Sequence, residues 1–261
     1  MTATPLRLDR HGPIAHLVLD RPDKLNAITL AMWQALPGLV AEIERNPNIL
    51  AVLVRGEGER AFSAGADIAE FETVYASPDT ARAYNDAVRE GFAAVERAVK
   101  PTVALVRGLC VGGGCGLALA CDLRFASDDA RFGITPSRLG LVYSLADTRR
   151  LVETVGPAAA RDMLFSGRLI DAGEAHRIGL VDRLEPASQV EAVLNDYLAE
   201  LTQRSQYSLR AAKRMIQAAL DGTADDDPDL AALYDRAFGG EDLREGWRAF
   251  AEKRPPRFTW R

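Results

Sequence analysis

Apolar positions along the chain follow two rhythms. Through the first half, short runs rich in Val, Ile and Leu alternate with helical patterns: IAHLVLD (14–20), a helical pattern after Thr29, LAVLVRG (50–56), a helix over roughly 79–99, and PTVALVRG (101–108). Strand-length runs separated by helix-length ones indicate a layered α/β domain with crossover connections. A further helix is expected to open in the glycines at 112–114, followed by two strand-like pieces, LRFAS and ARFGI. From about residue 145 the spacing is almost wholly helical, broken by the strand-like GLVDRL (179–184). Pro37-Gly38 falls inside the first helical pattern and should bend or break it, because proline removes a helix hydrogen bond and crowds the preceding turn. A soft boundary near 185, where EPASQV begins, divides an α/β core (1–185) from a C-terminal helical region (186–261).

Composition narrows this picture. The chain has 261 residues, 48% apolar, enough for one large domain or one domain with an appendage. Its 32 Lys and Arg against 37 Asp and Glu give a net charge of −5, so no basic face is offered to nucleic acid or to a membrane surface. No apolar stretch reaches the ~18 residues of a membrane span, and MTATPLRLDR carries charges where a secretory segment would be apolar, so a soluble, cytoplasmic protein is expected. Cys110, Cys115 and Cys121 lie within twelve residues of one another without a CxxC pair or a nearby histidine. They read as small reduced core residues, not as disulfides or metal ligands. His11, His16 and His176 are scattered, so neither a histidine-centred triad nor a metal cluster is expected.

Two segments carry candidate chemistry. AFSAGADI (61–68) follows the strand LAVLVRG, and its small residues let a ligand approach main-chain N–H groups closely. Asp67 reads chiefly as the cap of the helix that follows. GLCVGGGCGLALACD (108–122) places three glycines before an apolar helix, exposing first-turn N–H groups toward an anion or oxyanion. Glycines there serve close packing of helix on sheet equally well. The spacing fits neither GxGxxG nor a P-loop, which disfavours a nucleotide site of the usual kinds.

Taken together and in order, RPDKLNAITLAM (21–32), AFSAGADI, VRGLCVGGGCGLALACDLRFAS, ARFGITPSRLGL and EDLREGWRAFAEKRPPRF (241–258) resemble the crotonase (enoyl-CoA hydratase/isomerase) superfamily over nearly the whole chain. The resemblance implies a crotonase-like spiral of repeated ββα units with a C-terminal helical portion. It implies that the amides of Ala66 and Gly113 form an oxyanion hole for a coenzyme A thioester carbonyl. It places Lys24, Ala27, Ala64, Asp67 and Ile68 along CoA, with Lys24 near phosphate, and has Phe250 and Lys253 reach the CoA of a neighbouring subunit in a homotrimer or dimer of trimers. CoA enters only as part of the acyl-CoA substrate; no separate cofactor is implied.

The departures matter most. Relatives that hydrate enoyl-CoA carry two glutamates, where this chain has Gly116 and Pro136, and neither residue can transfer a proton. The segment ITPSRLGLVYSLADTRRL (134–151) supplies Tyr143 and a Ser144-x-x-Asp147 helix start, in which Asp147 reads as a cap before it reads as a catalytic carboxylate. This wording resembles methylmalonyl-CoA decarboxylase, although that relative has a histidine at Ala66 and a glutamate at Gly116. The leading expectation is decarboxylation of a 2-carboxyacyl-CoA, a lyase reaction needing no general base, with Tyr143, Ser137 or Thr135 orienting the carboxylate and Tyr143 or water protonating the enolate. The alternatives are a hydratase or isomerase with a relocated acid/base group (Asp147, Asp67 or Glu72) and an acyl-CoA-binding protein without turnover.

Overall fold

A computed structural model describes residues 5–260. The chain opens with a hairpin, β1 (Leu6–His11) and β2 (Ile14–Leu19), and passes into α1 (Leu30–Arg45). It continues through β3 (Ala51–Gly56), β4 (Ala61–Ser63), α2 (Phe71–Val74), α3 (Pro78–Glu96), β5 (Thr102–Val106), β6 (Leu109–Val111) and α4 (Gly113–Leu119). Then come β7 (Leu123–Ser127), β8 (Arg131–Gly133), α5 (Pro136–Leu139), α6 (Leu145–Ser166), β9 (Ile170–Asp171), α7 (Ala172–Arg177) and β10 (Arg183–Glu185). Four helices complete it: α8 (Val190–Gln203), α9 (Gln206–Leu220), α10 (Pro228–Gly239) and α11 (Glu241–Ala251).

Two sheets form, in the orders β1-β2-β3-β5-β7-β10 and β4-β6-β8-β9. Each successive strand pair, β3/β4, β5/β6 and β7/β8, gives one strand to each sheet before the chain turns into helix, which is the ββα repeat. Apart from the antiparallel β1–β2 and β8–β9 pairs, neighbours run parallel. The near-continuous apolar runs of β3 and β5 follow from burial on both faces. Val52, Val54, Ala104 and Val106 face the main core, whereas Ala51, Leu53, Val103 and Leu105 meet Val190, Leu194 and Leu198 of α8.

Three expectations need correction. Pro37 does not break α1, which runs unbroken from Leu30 to Arg45. Its buried face, Met32, Trp33, Leu36, Val40 and Ile43, outweighs one missing main-chain bond. The strand expected over 179–184 is only Arg183–Glu185, pairing with β7, and β1 had no counterpart in the sequence reading. Gly156 (φ 75°) followed by Pro157 kinks α6. Cys110, Cys115 and Cys121 are buried and unbridged, and burial pushes the Cys110 thiol pKa up. Among the described residues no helix is long and apolar enough to cross a membrane, and no cluster suits a metal ion.

Candidate active site

The two glycine-bearing loops meet where β4 and β6 end side by side. Gly65 sits at φ +99°, and a Cβ there would lie 2.8 Å from the Val111 carbonyl oxygen and 3.3 Å from Gly113 N. A Cβ on Gly113 would lie 3.7 Å from Ala66 N, so the amides of Ala66 and Gly113 are neighbours. Gly114 packs so closely that an added Cβ would meet the Ser63 carbonyl at 2.6 Å. Gly114 therefore serves packing, while Gly113 is the first residue of α4, where its N–H has no partner within the helix.

Nearby polar groups are occupied in a way that leaves those two amides available. Ile28 N–H donates to the Gly65 carbonyl (2.7 Å) and Asp67 N–H to the Ile28 carbonyl (3.0 Å), a parallel bridge that turns Ala66 N–H to the other side. Ala64 N–H donates to the Leu25 carbonyl at 2.9 Å. Ser63 Oγ donates to the Asn26 carbonyl (2.8 Å) and accepts from Gly65 N–H (3.1 Å). Buried Asn26 donates from Nδ2 to the carbonyls of Glu57 (3.0 Å) and Ala61 (2.7 Å) while Oδ1 accepts from Arg21 N–H. Leu25 and Asn26 adopt φ of 50° and 55°, an uncommon conformation held by these bonds.

These bonds join the segment carrying Leu25 to Ile28 to the loop Ala64–Asp67, and of that loop Ala66 lies next to Gly113. Lys24 and Ile68 are exposed, while Ala27 is buried. Asp67 caps the 3-10 turn Ile68–Glu70, accepting from Ala69 N–H at 3.1 Å, and pairs with Arg21 at 2.8 Å. Burial opposes its ionisation, but Arg21 and the Ala69 amide outweigh it and lower the pKa. Arg21, which also donates to the Ala27 carbonyl (2.7 Å), opens the segment RPDKLNAITLAM, but nothing in its spacing showed that it would pair with Asp67.

Aromatic residues fill the space behind the loops. Trp33 and Phe92, 1% and 3% exposed, meet edge to face with centroids 4.9 Å apart. A Cβ on Gly113 would lie 3.1 Å from Trp33 Cζ2, and one on Gly116 would lie 2.7 Å from Phe92 Cζ. Phe92 therefore stands where a side chain at position 116 would begin. Neither aromatic was singled out from sequence, since both lie on helices remote from the glycine motif.

Tyr143 packs on the main core, and its buried hydroxyl has no hydrogen-bond partner. Burial pushes its pKa well above 10, with Cys115 and Asp147 adding to the rise and Arg150 opposing it. The phenol is a proton donor there, not a base. Ser144 supplies the cap of α6, accepting from Asp147 N–H at 3.1 Å, so the expectation that Asp147 itself caps is corrected. The Asp147 carboxylate accepts from Ser144 Oγ (2.6 Å) and Arg150 Nη1 (2.9 Å). Buried Arg150 also donates twice to Glu96, at 2.8 and 3.0 Å. Thr135 and Pro136 are half-buried at the start of α5, with Ser137 and Glu72 exposed.

Phe250 and Lys253 are not brought to these loops. Phe250, 87% exposed, lies in the last turn of α11 and Lys253 just beyond its end. A separate cleft of about 300 Å³ opens among α9, α10, α11 and the C-terminal tail, lined by Tyr207, Phe238, Trp247, Phe258 and Trp260 among others.

Comparisons with known proteins agree with this architecture. The family profile described as enoyl-CoA hydratase/isomerase matches residues 9–261. A crystal structure of a protein assigned to that family from Hyphomonas neptunium is 46% identical, covers 99% of this chain and 98% of its own, and superposes with a TM-score of 0.96. An enoyl-CoA hydratase/carnithine racemase from Magnetospirillum magneticum is 32% identical, with coverage of 100% and 97% and a TM-score of 0.95. A Mycobacterium tuberculosis protein assigned as an enoyl-CoA hydratase is 36% identical over 267 residues, spanning 100% of both chains.

Proposed function

The chain belongs to the enoyl-CoA hydratase/isomerase family, and from that premise we propose an enzyme that binds an acyl-CoA thioester and stabilises its enolate. The observation that carries this is the adjacency of the Ala66 and Gly113 amides, one turned outward by a parallel bridge and the other free at a helix start. Two fixed donors aimed at one oxygen hold developing negative charge without reorganising, which is the largest single contribution in many acyl-transfer and enolate reactions. Lys24, Ala27, Ala64, Asp67 and Ile68 flank the CoA, with Lys24 at phosphate. Phe250 and Lys253 reach the CoA of a neighbouring subunit in a cytoplasmic homotrimer or dimer of trimers, for which the exposed apolar face of α9–α11 speaks.

The named activities of the relatives favour hydration or double-bond migration by a relocated proton carrier. Asp147 and Asp67 are both ion-paired, with Arg150 and Arg21, and Glu72 is exposed; Asp147 is the candidate whose charge acts on Tyr143. One observation favours a second reading, decarboxylation of a 2-carboxyacyl-CoA. Positions 116 and 136 hold Gly and Pro, and Phe92 abuts the first of them, so the acyl end lacks the carboxylates that would repel an anionic substrate. Electrons from the C–C bond would flow into the thioester carbonyl, CO₂ would leave, and Tyr143 or water would return the proton to carbon. Incubation with crotonyl-type and malonyl-type CoA thioesters separates these. Loss of enoyl absorbance supports the first and CO₂ release the second, while binding of both without turnover leaves an acyl-CoA-binding protein.

A further inference from the structure

We propose that Phe92, backed by Trp33, is the specificity-determining residue for acyl-chain length and confines the site to short acyl groups; this rests on the acyl-CoA reading above. If a thioester carbonyl lies on the Ala66 and Gly113 amides, the acyl group begins within contact of the first turn of α4. That turn is walled by the two rings: Trp33 lies 3.1 Å from the Cβ position of Gly113, and Phe92 lies 2.7 Å from that of Gly116. Both rings are packed against further neighbours. Trp33 is pressed against Gly91, whose Cβ position is 3.0 Å from Trp33 Cε3, and it crosses Phe92 edge to face. Phe92 is also overlaid by the Arg150 guanidinium, whose central carbon lies 5.6 Å from the ring centroid. Arg150 is itself fixed by two bonds to Glu96 and one to Asp147.

A close-packed wall of this kind discriminates by volume, and a single methylene against such a wall is typically worth ~10–200-fold. Phe92 is the better point of intervention, because Trp33 also supports α1 on α3. The test is titration calorimetry of the intact protein with free CoA and with acetyl-, butyryl-, hexanoyl- and octanoyl-CoA, comparing wild type with Phe92→Ala and Phe92→Leu. The leucine variant keeps most of the buried volume should the alanine variant fail to fold. Wild type should bind butyryl-CoA at least ~10-fold tighter than octanoyl-CoA, and the variants should reduce that ratio to about 3-fold or less with free CoA unchanged. A purely structural role for Phe92 would move every ligand together and leave the ratio alone, which would overturn the proposal. Equal wild-type affinity at all chain lengths would overturn it too. Binding of none of the five ligands by wild type would instead sink the acyl-CoA reading, and this inference with it.

Discussion

The loop pair at the centre and the helices at the C-terminus stand in opposite conditions. Around Ala66 and Gly113 the neighbouring carbonyls and amides are engaged by Asn26, Ser63 and Arg21, and the rings behind are nearly sealed from solvent. Along α9–α11, by contrast, Ile216, Tyr234, Phe238, Trp247 and Phe250 are each more than half exposed. The first region is complete within one chain. The second presents an apolar surface of the kind that the proposed neighbouring subunit would cover. The proposed chemistry thus rests on a region closed within one chain, and the proposed assembly on a surface that one chain leaves open.

The sharpest way to break the contrast is to remove one main-chain donor from the finished region. Gly113→Pro deletes the N–H outright and should lower turnover by ~10²–10³-fold, measured in a folded variant that still binds CoA. Full turnover in such a variant would show that the amide is not an oxyanion donor. Next in size is Tyr143→Phe, which should slow turnover by roughly tenfold, the worth of one hydrogen bond to a charged group. Because its hydroxyl is buried without a partner, the same change should leave thermal stability unchanged or raised. Asp147→Asn should cost roughly 1 kcal/mol of stability by exchanging its ion pair with Arg150 for a neutral hydrogen bond, while Glu96 keeps the guanidinium in place, and its turnover decides between the relocated carrier and decarboxylation. An inactive but folded Asp147→Asn beside an unaffected Tyr143→Phe would make Asp147 the relocated proton carrier.

The unfinished region is tested by Phe250→Asp, which puts a charge on a side chain that packs on nothing in its own chain. It should shift light-scattering mass toward single chains and weaken CoA affinity several-fold, with the near-ultraviolet signal of Trp33 and its neighbours retained. A wild-type protein that is a fully active single chain at micromolar concentration would remove the basis for this contrast.

The two regions were also unequally legible in the sequence. The glycine segments announced themselves because only main-chain geometry demands Ala66, Gly113 and their small neighbours, and most strands and helices followed from apolar spacing. Phe92 and Arg21 could not be read, since their importance comes from what the fold sets beside them: Gly116 lies 24 positions from Phe92 and Asp67 lies 46 from Arg21. The expectation that Pro37 could break its helix failed for a related reason. A local rule was overridden by burial of Trp33, Leu36 and Val40, which only tertiary packing supplies. At the C-terminus, helical spacing was plain while its apolar face gave no sign of what covers it.

The smallest expected effect separates the regions by pH. His16 on β2 is stacked on His11 at 4.1 Å, and burial, followed by the charges of His11 and Arg55, lowers its pKa from 6.5 to about 4. Between those values the unfolded chain holds a proton that the folded chain does not, so stability present above pH 6.5 declines as pH falls through that window and levels off below about 4. In the C-terminal region Glu245 accepts from Arg254 and from Arg257 N–H, and its pKa falls from 4.5 to about 2. Here the folded chain is the one that stays unprotonated against a carboxylate that protonates when unfolded, so this contribution holds down to pH 4.5 and is lost only between 4.5 and 2. Urea midpoints measured from pH 7 to 3 should therefore show a decline between 6.5 and 4 that His16→Gln flattens and Glu245→Gln does not. If His16→Gln leaves the slope in that window unchanged, the histidine is not neutral within the sheet, and the two regions do not differ in pH response in this way.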